Sequence, residues 1–170
     1  YKKFARIILA GPLTSLLFGL LALMLSLIVI PSLKILFFSS GLMSIGLFLA
    51  TTLPTRTGMF FTDRKRYQRL MTPGRDQQVE MAMLRMMGIY MQDKSYRNLS
   101  TEDMQLLMQD DFAFLKVYGY SLYICQQLES TGSVDAAIEE EYQNLSQEMP
   151  KSLKMALDQE IEKVKAGLPS

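Results

Sequence analysis

Two uncharged apolar runs, residues 7–30 and 35–53, stand almost end to end near the start of this chain. As helices they would reach about 36 Å and about 28 Å, against a hydrocarbon core of about 30 Å. Inside a bilayer the backbone must satisfy its own hydrogen bonds, so the pair predicts two transmembrane helices. Pro31, Ser32, Leu33 and Lys34 between them predict a turn carrying a helix breaker, and hence a tight antiparallel hairpin. A secretory signal would show a shorter apolar core and a small-residue cleavage site, with no second run directly behind it. With Tyr1 at the first position, the chain reads as a fragment of a longer polypeptide.

The charges orient the hairpin. Lys2, Lys3 and Arg6 precede the first run, and Arg56, Arg64, Lys65, Arg66, Arg69 and Arg75 follow the second. Only Lys34 lies between, so both ends of the hairpin and everything after it are expected on the cytoplasmic side of an integral membrane protein. Arg64, Lys65, Arg66, Arg69 and Arg75 beside the cytoplasmic leaflet suit anionic lipid headgroups, at about 1 kcal/mol each. Nucleic acid is a poor partner: the cations are membrane-adjacent, and distal Asp135, Glu139, Glu140, Glu141 and Glu148 would repel phosphate.

Small residues are set into the first run. At about 100° per residue, Gly11, Ser15, Gly19, Ala22 and Ser26 fall within about 80° of one another. Lipid offers helices no hydrophobic incentive to associate, so such a smooth stripe marks where another helix approaches closely. The hairpin partner would fill it, or transmembrane helices from outside these residues would.

Beyond residue 75 the pattern changes to short amphipathic helices, giving three regions: two transmembrane helices in 1–54, a basic membrane-proximal segment in 55–75 and a soluble helical domain in 76–170. Pro73-Gly74 breaks the chain, and Asp76 is placed to cap a helix with an apolar stripe of Val79, Met83, Met86, Met87 and Tyr90. Ser100 and Asp103 resemble a capping box for a helix through Met108. Leu115, Tyr118, Leu122 and Cys125 line a third helix ending near Gly132. Ser133 is placed to cap a fourth, with Val134, Ala137, Ile138, Tyr142 and Leu145 on one side. Pro150 starts a fifth, striped by Leu153, Leu157, Ile161 and Val164. No alternating strand pattern competes, so the fold class is all-α: a transmembrane hairpin followed by a cytoplasmic bundle of short helices.

The thirteen methionines suit an adaptable core or a partner-binding groove, with core filling the better account. Cys125 is the single cysteine, which excludes an internal disulfide, and its place in an apolar stripe reads as structural. The sequons at Asn98 and Asn144 carry no weight in a cytoplasmic domain. Histidine is absent, which removes the commonest metal ligand and the usual neutral-pH base from this chain.

Chemistry concentrates at Asp63, the lone acidic residue between Tyr1 and Gly74, followed at once by Arg64, Lys65 and Arg66. One reading makes it a helix cap, accepting backbone N–H bonds at a helix beginning near Arg64. The other makes it a metal ligand beside the membrane, which needs further ligands and an open position for water.

The order Ala10-Gly11-Pro12-Leu13, a second apolar run, Pro54, a loop through Gly58, and then Asp63 before a basic helix resembles the C-terminal half of intramembrane zinc metalloproteases of the site-2 protease family. The resemblance covers about the first 75 residues. That family carries His-Glu-x-x-His on an earlier transmembrane helix, a small-residue helix with Ala-Gly-Pro next, and Asn-x-x-Pro with a late Asp-Gly that completes the zinc site. Here Thr51 replaces the Asn, Arg64 replaces the Gly after the aspartate, and His-Glu-x-x-His is absent. The resemblance implies that Asp63 is a zinc ligand, with Pro12, Pro54 and Gly58 supporting the motif. It also implies that zinc and an activated water cleave a locally unwound transmembrane substrate, with transmembrane helices outside these residues supplying the histidines. Alone the fragment would be inactive. The competing expectation is a non-enzymatic membrane anchor, or an inactive protease homologue, presenting a helical domain to a protein partner.

Overall fold

The computed structural model describes residues 2–53, 56–57 and 60–167. Among the described residues there are eight helices: α1 (Lys2–Ile28), α2 (Pro31–Thr52), α3 (Asp63–Met71), α4 (Arg75–Asp93), α5 (Thr101–Met108), α6 (Ala113–Thr131), α7 (Ala136–Ser146) and α8 (Lys151–Lys165). A two-residue antiparallel ladder, β1 (Arg56–Thr57) on β2 (Phe60–Phe61), interrupts the chain between α2 and α3. It is too short to form an independent sheet, and the protein is all-α, with two N-terminal apolar helices followed by a helical bundle. Contacts divide the chain into two compact units, Tyr1–Gln77 and Gln78–Ser170.

In the first unit α1 and α2 are each long and apolar enough to cross a membrane. The connection is tighter than the sequence predicts. Pro31 opens α2 instead of breaking the chain, so only Val29 and Ile30 join the helices, with Ile30 as the extended N-cap at φ −60°, ψ 150°. The reason is positional: the first helical residue needs no amide hydrogen, and proline's fixed φ already suits a helix. Pro12 is likewise absorbed within α1.

The seam between α1 and α2 is made of small groups. On α1 the buried residues are Ala5, Pro12, Gly19, Ala22 and Ser26, a spacing of seven, seven, three and four, close to a coiled-coil period. The backbones meet at Gly19 and Gly41. A Cβ built on Gly19 would lie 2.8 Å from Ile45 Cγ1 and 3.1 Å from the Gly41 carbonyl oxygen. Ser26 turns its hydroxyl back, donating to the Leu23 carbonyl at 2.6 Å. Leu17, Leu27, Ile35 and Met43 point outward and stay exposed, as lipid-facing side chains would. Helix α3 packs back mainly along α1, with Leu70 fully buried.

In the second unit α6 is the central helix, and α5, α7 and α8 pack on it. Its buried side chains include Leu115, Val117, Leu122, Ile124 and Cys125. It stops at Gly132, whose left-handed φ of 73° lets its amide donate to the Leu128 carbonyl at 3.0 Å. On α8 the stripe runs as spaced, with Ile161 and Val164 buried and Leu153 and Leu157 half-buried.

Several local expectations shift by one or two residues. Asp76 falls inside the first turn of α4, not at its cap. On α4 the buried positions are Val79, Glu80, Ala82 and Met86, while Met87 is exposed. The fourth bundle helix is capped by Asp135, whose carboxylate accepts from the Ala137 amide at 2.9 Å, and not by Ser133, which is drawn into the loop by Thr131. Both are good capping types, and the carboxylate two residues from Ala137 has the geometry an N-cap needs. Ser100 caps α5 as expected, accepting from the Asp103 amide at 3.3 Å. Asp103 does not reach back to complete the box. Its carboxylate takes both Nε, at 2.9 Å, and Nη2 of Arg85, a bidentate pair tying α4 to α5.

Candidate functional site

Asp63 is the first residue of α3, so the cap position belongs to Thr62, at φ −62° and ψ 156°. The carboxylate still sits in the first turn, where the partial positive charge of the helix end favours it. Thr62 makes no side-chain cap bond; its Oγ1 is buried and lacks a hydrogen-bond partner among the described residues. Asp63 itself is half-buried.

An open crevice of about 510 Å³ lies where α3 meets the end of the hairpin, lined by Leu9, Phe48, Leu49, Thr52, Arg64 and Tyr67. The cation at position 64 therefore borders this crevice, directly after Asp63. Thr51 and Thr52 are occupied within α2: Thr51 donates to the Leu47 carbonyl at 3.0 Å, and Thr52 donates to that of Phe48.

The other candidate residues fall in different surroundings. Gly19, Ala22 and Ser26 are buried in the hairpin seam and Ser15 is half-buried, but Gly11 faces outward, with nothing within 4 Å of a Cβ built there. Pro12 takes its place in the seam, because the helical repeat carries the buried line through residues 5, 12 and 19. Arg64 and Lys65 are exposed, Arg66 is half-buried and Arg75 is exposed. Arg69, expected among the headgroup residues, is buried, and its Nη1 lies 3.5 Å from Asp76 Oδ1. Arg69 and the adjacent Leu70 are the buried residues of α3. Pro54 and Gly58 lie outside the described residues.

A zinc site needs at least three protein ligands. This chain has no histidine, and no three His, Cys, Asp or Glu side chains converge among the described residues. Asp63 is a single carboxylate, and the described residues do not make a zinc site by themselves.

The second unit holds a cavity that the sequence did not disclose. About 280 Å³ in volume, it is lined by Met86, Tyr90, Tyr96, Tyr118, Cys125 and Glu160 among others. The turn after α4 supplies Tyr96 and is pinned onto α6. Glu129 accepts from the Ser95 hydroxyl at 2.7 Å and the Tyr96 amide at 2.8 Å, and Gln126 donates to the Leu99 carbonyl at 2.6 Å. Tyr96 then donates its hydroxyl to Glu160 Oε1 at 2.9 Å. The available signal was Glu160 itself, a carboxylate standing between Leu157 and Ile161 at stripe spacing. Its partners come from three other elements, which no spacing rule connects.

Burial governs the ionisation of these groups. It raises the Tyr118 phenol and raises Tyr96 far above its ordinary range, the latter also through hydrogen bonding to Tyr90 and Glu160. The Cys125 thiol is pushed up from 9.0 to about 12, by burial first and then by Glu160 and Glu129. A raised acid pKa in the folded state stabilises the protein below the unfolded value and is lost as pH rises through the folded one. Stability of this unit should therefore fall between pH 9 and about 12. Urea midpoints at successive pH values check this. The same burial predicts that iodoacetamide modifies Cys125 near neutrality only after unfolding; rapid labelling of folded protein would contradict it.

No protein-family model matches the chain, and no curated protein or solved structure is significantly similar to it.

Proposed function

We propose that this chain is the C-terminal membrane core and cytoplasmic helical domain of a site-2-protease-like intramembrane zinc metalloprotease. Asp63 contributes one zinc ligand, and histidines from outside these residues supply the others. The observation that carries the reading is the placement of Asp63: a half-buried carboxylate opening a helix that packs back along α1 beside the end of an apolar hairpin. Both ends of the hairpin face the cytoplasm, and Arg64, Lys65, Arg66 and Arg75 engage anionic lipid headgroups. The substrate class is a transmembrane segment whose helix is locally unwound, since an intact helix keeps its carbonyls hydrogen-bonded.

A second reading, a membrane-anchored interaction module or inactive homologue, is favoured by Arg64. The exposed guanidinium borders the crevice next to Asp63, where the resembled family has glycine. A fixed cation there would oppose a bound metal ion.

Zinc content separates the two. Protein purified with its natural flanking sequence is expected to carry zinc near stoichiometry, falling at least about tenfold in Asp63→Asn, since ligand loss should exceed the effect of losing a supporting partner. Asparagine tolerates a helix start, so folding should survive the change. Equal zinc in both proteins, or none in either, transfers the assignment to the interaction module.

A further inference from the structure

We infer that the cavity in the second unit binds a small lipophilic cation of the methylated or quaternary ammonium class. Three tyrosine rings, Tyr90, Tyr96 and Tyr118, contribute to its wall, with Tyr90 and Tyr96 centroids 4.8 Å apart at a 32° tilt. Aromatic faces carry negative quadrupole potential and attract cations that shed water easily. Glu160 adds a carboxylate, and none of the lining residues is basic. Among the lining residues the one formal charge is therefore the carboxylate of Glu160.

The protein already places an ammonium on part of this surface. Lys94 Nζ lies 5.9 Å from the Tyr90 ring centroid and 3.9 Å from Met91 Sδ, and both Tyr90 and Met91 line the cavity. Lys163 reaches Glu160 Oε2 at 3.3 Å from outside the lining, so Glu160 is shared between Tyr96 within the cavity and one exposed cation. Methionine thioethers of Met86, Met87 and Met91 supply polarizable, adaptable walls. Met87 and Met91 are 46% and 65% exposed, which gives a ligand an entrance. A volume of about 280 Å³ accepts a trimethylammonium group with a short arm.

The test is calorimetric titration of the whole chain in dodecyl maltoside, a detergent without a choline headgroup. The probes are choline and its uncharged isostere 3,3-dimethylbutan-1-ol. Choline should bind at least about tenfold more tightly, the scale expected of a partly desolvated cation over aromatic faces beside a carboxylate. Glu160→Gln keeps an acceptor for Tyr96 and should erase most of that preference. Lys163→Gln removes a competing cation at an exposed position and should tighten choline binding about threefold or more. Equal binding of the two probes, or no binding of either, overturns the inference. So does unchanged choline affinity in Lys163→Gln, a variant whose exposed site keeps the test intact if Glu160→Gln fails to fold.

Discussion

Gly119→Val should strongly destabilise the helical unit. A Cβ at position 119 would lie 2.9 Å from Leu107 Cβ, 2.9 Å from the Met108 backbone nitrogen and 3.1 Å from Met108 Cγ. Only the last of these atoms can swing aside; the others are fixed to the backbone of α5. Valine would force α5 off α6 or distort both, a cost of about 3 kcal/mol, set against a typical domain stability of about 5–15 kcal/mol. The glycine is itself unfavourable in a helix by about 1 kcal/mol relative to alanine, which the close approach of α5 offsets. Gly88 is the internal control: it is also helical, but nothing lies within 4 Å of a Cβ there, so Gly88→Ala should be neutral or stabilising. Hydrogen exchange on the whole chain in detergent should show amides of α5 and α6 losing protection in Gly119→Val alone. Wild-type protection in that variant would mean that the two helices do not cross at Gly119.

Gly41→Leu should open the hairpin. A Cβ at Gly41 would lie 2.8 Å from Leu23 Cγ, 2.9 Å from its Cδ2 and 3.0 Å from the Gly19 carbonyl oxygen. Leucine adds further atoms in the same place, so α1 and α2 must separate. In lipid nothing compensates, because a leucine gains as little from a neighbouring helix as from an acyl chain, while the lost backbone packing is what held the seam. Nitroxide labels at exposed Leu20 and Leu42 should show weaker dipolar broadening in Gly41→Leu than in the parent. Gly46→Leu, at a position with nothing within 4 Å of a built Cβ, should leave the broadening unchanged. Equal loss in both would locate the effect in added side-chain bulk, not in the Gly19–Gly41 approach.

Gly19 and Gly119 show where reading along the chain works and where it stops. Gly19 was visible as part of a small-residue stripe because a helix repeats its faces at known angles. That same arithmetic included Gly11, which faces outward, and missed Pro12, which is buried in the seam. The period is known from sequence, but the angle at which a partner approaches depends on the partner. Gly119 carried no signal at all, since only the crossing of α5 shows why a side chain is excluded there. Caps behaved in the same way: Ser100 and Gly132 were legible, whereas Asp135 displaced Ser133 because two good candidates lay within one turn.

By itself the sequence determined the apolar hairpin, the count and approximate extent of the five bundle helices, and the isolation of Asp63 among cations. Those follow from hydrophobic period and local hydrogen bonding, which act over a few residues. Tertiary structure alone decided that Arg69 turns inward to Asp76, that Arg85 takes the carboxylate of Asp103, and that Tyr90, Tyr96, Tyr118 and Glu160 share one cavity. Each joins groups through the packing of separate segments, and local propensity contains no term for which segment will arrive opposite.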